Sequence, residues 1–554
     1  MRKEVVTERK ASDLFVECLE AEGVKHVFGI PGEETLDLNE SLEDSSITFV
    51  PVRHEQGGAY MADMYGRLTR RAGVCLGTLG PGATNLITGV ADAFLDRSPL
   101  VALTGQADLE RMHKESHQHI DVVSMFQPVT KWNVRLQSSR VIPEVVHKAF
   151  KVAQAQKPGP THIELPEDVM ADMVDAEPLP SQVGVRRPEP SGRELLEAAS
   201  VIRAAANPIV LAGNGVARVG AAAALREFAR ATGIGVAETF MGKGLLDYRD
   251  PRALGTVGLQ SRDYALAGFE DADVVITVGY DLVEHAPKNW NPDRDKKIVC
   301  IDTVAAEVDE HFMTEVDLVG DLYHILSRLA EELRDSGWGS GPGSRLNDLI
   351  LGHFEAGRGD DAFPVRPPRA LWEIRQALGR RDMLISDVGL HKLWIARMFP
   401  AHEPDTVLIA NGLAGMGIAL PTAIAAKLVH PERKVVTVNG DGGFLMNVQE
   451  LETAVRLGTP IVNVIWENRQ FGSIVWKQDK KFGRHFGTDF TNPDFVGLAA
   501  AFGMPAWRID AVDDFGPTLR RALDLDVPSL IVLPIDYSLD VAISQELGTE
   551  TVAA

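Results

Sequence analysis

The chain has 554 residues and a mass of 60.3 kDa, more than one hydrophobic core can serve, so several domains are expected. A formal net charge of −22 excludes nucleic acid and anionic membrane as expected partners, and 45% apolar with 24% charged residues is a globular composition. Three cysteines, Cys18, Cys75 and Cys300, show no CxxC spacing and predict buried thiols in a reducing, cytoplasmic protein. The opening MRKEVVTERK lacks an apolar signal core, and no apolar run approaches ~20 residues, so neither secretion nor a membrane span is expected.

From Ala11 to Val174, short apolar runs (VKHVFGIPG, ITFVPVRHE, AGVCLGTLGPG, PLVALTG, PTHIELP) alternate with helical stretches. That rhythm predicts parallel β-α-β units. Val50–Arg53 ends one strand, and Glu55 opens the helix that carries Ala59, Met61, Ala62 and Tyr65. Taken alone, a carboxylate there is simply stabilised by the helix dipole. DAEPLPSQVGVRRPEPSGRE, rich in proline and serine, marks a linker. A second α/β block runs from about Leu195 to Leu333, with strands at PIVLAG, VVITVG and KIVCID. DSGWGSGPGSR and GRGDDAFPVRPPR bracket the next boundary, and a third block runs from Pro368 to about Tyr537. The expected fold is α/β, with three doubly wound parallel-sheet domains at 1–174, 190–340 and 365–545.

The third block carries two patterns with chemical content. In Asn411–Pro421, NGLAGMGIALP, small residues surround one long apolar side chain, Met416. This is either a close-packed helix start or a wedge that shapes a ligand held above it. In Val435–Asn468, an apolar β-branched run (Val435–Asn439) leads into Gly440-Asp441-Gly442-Gly443. Met446, Val448, Leu451, Ala454, Val455 and Leu457 then recur at roughly helical spacing up to Gly458, and Ile461–Trp466 is a second strand. A right-handed crossover brings both strand ends to one sheet edge, so Asp441 and Asn468, 27 residues apart, can face one ion. Carboxylate, amide and carbonyl oxygens suit Mg²⁺ or Ca²⁺ rather than Zn²⁺, and a helix start beside them favours a phosphate. A lone GDG would be an ordinary glycine turn; GDG with Asn468 at the end of the next strand is the thiamine diphosphate (ThDP) spacing.

These segments, in this order, resemble the acetolactate synthase (acetohydroxyacid synthase) family of ThDP enzymes. The likeness spans nearly the whole chain: GIPG (Gly29–Gly32), RHEQ (Arg53–Gln56), GPGATNL (Gly80–Leu86), TGQ (Thr104–Gln106), NGLAGMGIALP and GDGGFLMNVQELETAVRLG. DVGLHKLWIAR (Asp387–Arg397), GYDLVEHAPKNWN (Gly279–Asn291) and IDYS (Ile535–Ser538) look most like the catabolic, FAD-independent branch. The resemblance implies a pyrimidine-binding, a middle Rossmann-like and a diphosphate-binding domain, with the active site shared between two chains of a homodimer or homotetramer. It makes Glu55 the acid beside the pyrimidine ring, Met416 the wedge, and Gln118 a residue near substrate. Asp441, Asn468 and the carbonyl of Gln470 become Mg²⁺ ligands. Pro31, Pro81, Gly82, Asn85, Val388, Gly389, His391, Ala414, Gly440, Gly442, Gly443 and Gly472 become cofactor contacts.

The implied reaction is decarboxylating carboligation of 2-keto acids, two pyruvates giving 2-acetolactate and CO₂, with the cofactor ring as electron sink. The rivals are a 2-keto acid decarboxylase that does not ligate, a flavin-dependent pyruvate oxidase, and a non-catalytic α/β binding protein. Glyoxylate carboligases lack the glutamate supplied here by Glu55. Tyr280-Asp281-Leu282-Val283-Glu284 lacks the arginine of the FAD-containing branch, and Gly213, Gly215 and Gly220 do not form GxGxxG, which speaks against FAD. Trp476 falls one residue short of the family's pocket tryptophan, and Glu467-Asn468 replaces the commoner Asn-Asn. Lys477, Lys480, Lys481 and Arg484 read as a solvated helix face that could also meet an anion.

Overall fold

The structure is a computed structural model that describes residues 8–181, 187–258, 268–334, 336–338 and 343–539. Parts of both expected linkers (182–186 and 339–342) and the tail beyond Leu539 lie outside the described residues.

Three six-stranded sheets form the scaffold, and every strand pair in them is parallel. The first has the order Thr48–Pro51, His26–Gly29, Gly73–Gly77, Leu100–Gln106, Pro160–Pro166, Trp132–Arg135. The second runs Ala253–Thr256, Gly235–Glu238, Pro208–Ala212, Val274–Val278, Lys297–Asp302, Val316–Val319. The third runs Val407–Ile409, Met383–Ser386, Val435–Gly440, Val462–Glu467, Ser529–Pro534, Ala506–Arg508. Helices flank each sheet, so central strands such as Gly73–Gly77 and Val274–Val278 are buried along their whole length. This is why they read as continuous apolar runs rather than alternating ones. The expected three-domain α/β architecture is therefore present.

In each sheet the winding direction reverses beside the first strand of its block. In the first sheet the reversal falls between His26–Gly29 and Gly73–Gly77; in the third it falls between Met383–Ser386 and Val435–Gly440. Loops leaving the carboxyl ends of such strands diverge and open a crevice, the usual ligand site of an open parallel sheet.

By packing, the chain divides into two compact units. One comprises Met1–Val185, Leu413–Pro431 and Asn447–Thr459; the other comprises Arg186–Gly412, Glu432–Met446 and Pro460–Ala554. The first unit owes its composition to helix Ala419–Val429, which packs against helix Glu55–Thr69 and is buried over its first nine residues. Helix Glu450–Leu457 joins it, with Gly458 ending that helix in the left-handed conformation at φ 60°.

One sequence expectation needs correction. The single helix expected from Met446 to Leu457 is broken: one turn spans Asp441–Phe444, and the helix proper starts only at Glu450. Met446 and Val455 are 46% and 37% exposed, so the apolar spacing that suggested one stripe mixes two faces. All three cysteines are buried and outside any disulfide, as expected. Among the described residues no helix is long and apolar enough to cross a membrane.

Candidate active site

Glu55 is the first residue of helix Glu55–Thr69 and only 7% exposed. His54 caps the helix, its Nδ1 accepting from Gln56 N at 3.1 Å. Asn85, one turn into helix Pro81–Asp96, donates Nδ2 to Glu55 Oε2 at 3.0 Å. Gly82 is as close: a Cβ there would stand 3.4 Å from Glu55 Oε1. A buried carboxylate absent from the sequence reading supports this corner. Glu450 Oε1 accepts from Arg53 N at 3.1 Å and His54 N at 3.0 Å, holding the backbone just before Glu55. Burial pushes the Glu450 carboxyl up, against the lowering effect of Thr453 and those two amides. The only sequence signal for it is a glutamate among the otherwise apolar positions of a core-facing helix.

Pro31 and Pro81 are exposed on the loops that leave the two switch-point strands. Gln118 is exposed, with φ 56°, and its loop lies against Gly80, where an added Cβ would come within 2.7 Å of Gln118 O. That loop is tied down by His119 Nδ1 at 3.1 Å from Gln106 Oε1, and Gln106 Nε2 in turn donates to buried Glu164 at 2.7 Å. Met416 is half-buried, with Ala414 and Gly417 on either side at φ 57° and 84°. Asn447 Nδ2 donates to Gly417 O at 2.9 Å. Gly415 leaves no room beside Tyr60 of the Glu55 helix; a Cβ would sit 2.2 Å from Tyr60 Oη. The first unit thus gathers Glu55, Gly82 and Asn85, and seats the Met416 segment on the same helix as Glu55.

In the second unit three strand-end loops converge. Val388, Gly389 and His391 follow strand Met383–Ser386, and Gly389 caps helix Leu390–Met398. His391 is buried; a Cβ on Gly440 would lie 3.3 Å from its Cε1, and Nε2 is buried without a hydrogen-bond partner. Burial pushes its imidazole down to about 3, so the ring is neutral at working pH. Gly443 is packed so tightly that a Cβ would stand 2.4 Å from Asp387 Oδ2. Asp441 Oδ2 accepts from Asn468 N at 3.0 Å and Arg469 N at 2.6 Å, which sets the carboxylate against the turn carrying Asn468 and Gln470. Arg469 holds that turn in the left-handed region, at φ 59°. Gly472 closes the group, its Cβ position 2.7 Å from Leu390 Cδ1 and 3.3 Å from Asn468 Nδ2.

Among the described residues no three His, Cys, Asp or Glu side chains cluster to hold a metal. The donor set at this edge is one carboxylate, one amide and one carbonyl, which suits a hard cation that keeps its own waters and phosphate oxygens. The tight glycine turn and this oxygen set fit a magnesium diphosphate. Beside them opens a cavity of about 1020 Å³ lined by Asn468, Gln470, Gly472, Trp476, Arg508 and Tyr537 among others. Helix Gly472–Phe482 has no buried residue, and Lys480 lies over the Trp476 ring at 5.4 Å.

In the middle sheet, both oxygens of buried Glu284 lie 3.2 Å from Asn214 N, and Thr239 Oγ1 also donates to this carboxylate. The first amide of helix Asn214–Arg218, at that sheet's switch point, already faces a carboxyl group supplied by the chain itself.

Three parallel sheets, a buried acid opening a helix of the first sheet, and a glycine-aspartate turn at the switch point of the third define a thiamine diphosphate enzyme. Family models agree along the chain: the thiamine pyrophosphate enzyme N-terminal TPP binding domain matches residues 9–125, the central domain 195–329, and the C-terminal TPP binding domain 387–533. The chain is 35% identical to an acetolactate synthase of Bacillus subtilis over 98% of its own length and 96% of the relative's. It is 35% identical to a catabolic acetolactate synthase of Raoultella terrigena, covering 95% of each chain. To a chloroplastic acetolactate synthase of Arabidopsis thaliana it is 30% identical, over 94% of this chain and 81% of the other. The chain belongs to the acetolactate synthase family of thiamine diphosphate-dependent enzymes. It is an acetolactate synthase-like enzyme of carboligation chemistry.

Proposed function

We propose that the enzyme condenses two molecules of pyruvate to 2-acetolactate with loss of CO₂, using ThDP anchored through Mg²⁺. The observation that carries this reading is the Asp441 carboxylate locked on the amides of Asn468 and Arg469, beside the turn bearing the other two oxygen ligands. Asp441, Asn468 and the Gln470 carbonyl would hold Mg²⁺. Val388, Gly389, His391, Gly440, Gly442, Gly443 and Gly472 would hold the diphosphate, the buried neutral His391 ring packing beside it without a competing charge. When bound, ThDP supplies the nucleophilic carbon and the electron sink for decarboxylation.

The chain's own work is placement and proton handling. Glu55, oriented by Asn85, would hydrogen-bond the pyrimidine ring nitrogen of the bound cofactor and hold a proton there. Met416, on a segment braced by Tyr60, shapes the cofactor, with Ala414 beside it. Pro31, Pro81 and Gly82 border the pyrimidine side, and Gln118 reaches substrate from its own loop. The cavity beside Asn468 would admit small keto acids, with Trp476 and Tyr537 beside Arg508 in its lining.

A flavin is outside this reading, because the Glu284 carboxylate stands where a dinucleotide phosphate would need the Asn214 amide. The reading also includes a homodimer or homotetramer with shared active sites, and a cytoplasmic setting, supported by three buried thiols outside any disulfide.

The test is a product assay with pyruvate, Mg²⁺ and ThDP, without FAD. One acetolactate per CO₂ is the expected result. Acetaldehyde equal to CO₂ would make the enzyme a decarboxylase, and no CO₂ would remove pyruvate as the donor.

A further inference from the structure

Asp441 Oδ2 has a third donor besides the two backbone amides. Asn492 Nδ2, from a loop 51 residues further along the chain, donates to it at 2.9 Å. The same Nδ2 lies 3.2 Å from Glu467 Oε1, and Glu467 Oε2 accepts from Arg508 Nη2 at 2.5 Å. Glu467 is 8% exposed, at the end of strand Val462–Glu467. One amide group therefore bridges two carboxylates, one hydrogen to each, and an arginine balances the outer one.

This arrangement decides which oxygen of Asp441 is left for a cation. A carboxylate oxygen has two lone pairs, so three donors saturate Oδ2. Oδ1 accepts from Gly442 N alone, at 2.9 Å, and keeps a lone pair. Without Asn492, nothing but backbone would fix the carboxylate's rotation. Without Glu467, only Asp441 itself would hold the Asn492 amide hydrogens, since Asn492 Oδ1 is buried and has no hydrogen-bond partner of its own.

We propose that Asn492 and Glu467 are positioning residues for the cation site: Asn492 turns Asp441 Oδ1 toward the ion, and Glu467, charge-balanced by Arg508, aims Asn492. The proposal rests on the reading that Asp441 binds Mg²⁺. It gives the glutamate in this chain's Glu467-Asn468 pair a function distinct from ligation. Outer partners of a metal ligand are commonly worth 10–100-fold in affinity.

The experiment titrates Mg²⁺ into the full-length enzyme at saturating ThDP, following ThDP binding calorimetrically and turnover in parallel. Asn492→Ala should raise half-saturating Mg²⁺ about 10–100-fold while kcat recovers at saturating Mg²⁺. Asn492→Asp, which sets a third carboxylate among two, should shift it further. Glu467→Ala should shift it in the same direction, and the double variant should be no weaker than Asn492→Ala, because one residue acts through the other. A half-saturation within twofold of wild type in Asn492→Ala, or additive effects in the double variant, would overturn the proposal. If Asn492→Ala fails to fold, Asn492→Ser carries the same titration and criterion. Wild-type ThDP binding that needs no divalent cation would sink the underlying metal reading instead.

Discussion

Asn85 Nδ2 lies 3.0 Å from Glu55 Oε2, a hydrogen bond that joins the first turns of two helices of the first unit. Both helices follow strands of one sheet, Glu55–Thr69 after Thr48–Pro51 and Pro81–Asp96 after Gly73–Gly77. The carboxylate is thereby oriented by rigid elements rather than by a loop.

Glu55→Gln should lower kcat by about 10³-fold, the scale of a lost general acid–base group. ThDP affinity should stay within about threefold, because the proposed diphosphate and cation contacts lie elsewhere, at residues 387–391, 440–443 and 468–472. Calorimetric ThDP binding beside turnover checks it; loss of binding in this variant would refute the division of labour. Asn85→Ala, which leaves the acid in place but unoriented, should cost about tenfold in kcat, in line with ~1–2 kcal/mol for an orphaned buried acceptor.

The second anchor predicts joint dependence on cofactor and cation. Mg²⁺ and ThDP together should raise the melting temperature, as binding to the folded state does. Either one alone should raise it little. Chelation should reverse the shift, and Asp441→Ala should abolish it without lowering the apo melting temperature by more than a few degrees. Equal shifts for wild type and Asp441→Ala would remove Asp441 from the cation site.

How much of this was legible in the sequence follows from how local each signal is. Strands such as Leu100–Gln106 and Val274–Val278 are buried throughout, so an apolar run announces them. Trp132–Arg135, half-buried at a sheet edge, carries no such run and is invisible to that criterion. The turn at Asp441 is legible because its glycines and its partner Asn468 belong to one β-α-β unit. Asn492 is not, since only the fold brings it back to Asp441 from 51 residues away. Glu450 hides for another reason: a fully buried carboxylate satisfied by two backbone amides looks, in sequence, like any solvated helix glutamate.

Glu284 predicts a pH signature. Burial, aided by Asp281, pushes its carboxyl up from 4.5 to about 7, against the lowering effect of Thr239, Arg218 and the Asn214 amide. Between those values the folded chain keeps a proton that the unfolded chain has released. The destabilisation is therefore absent at low pH, grows as pH rises from 4.5 toward 7, and stays constant above. Glu284→Gln removes the titration, so its stability relative to wild type should rise across that window by up to about 3 kcal/mol. Melting temperatures of both proteins at pH 4.5, 5.5 and 7 test it. A difference independent of pH would show that Glu284 does not titrate in the folded protein.

Gly415 offers the sharpest steric test of the segment that carries Met416. A Cβ there would lie 2.2 Å from Tyr60 Oη but 3.4 Å from Tyr60 Cζ, so the conflict is with one hydroxyl oxygen. Gly415→Ala must push the segment off the Glu55 helix, because Tyr60 is fully buried and Gln56 Nε2 donates to the same hydroxyl at 3.3 Å. Such a shift of the wedge should reduce kcat about 10²-fold, the cost of ~1 Å misplacement in a preorganised site, with a smaller change in KM. Tyr60→Phe deletes the offending oxygen together with the hydrogen bond it accepts from Gln56. If the clash is the cause, the double variant Gly415→Ala/Tyr60→Phe should recover most of the lost kcat, a strong non-additivity between touching residues. If Met416 has no part in turnover, Gly415→Ala lowers the melting temperature and leaves kcat of the folded fraction unchanged. Rescue of kcat by Tyr60→Phe, measured on protein matched for folded fraction, therefore separates a shaped active site from a merely well-packed helix start.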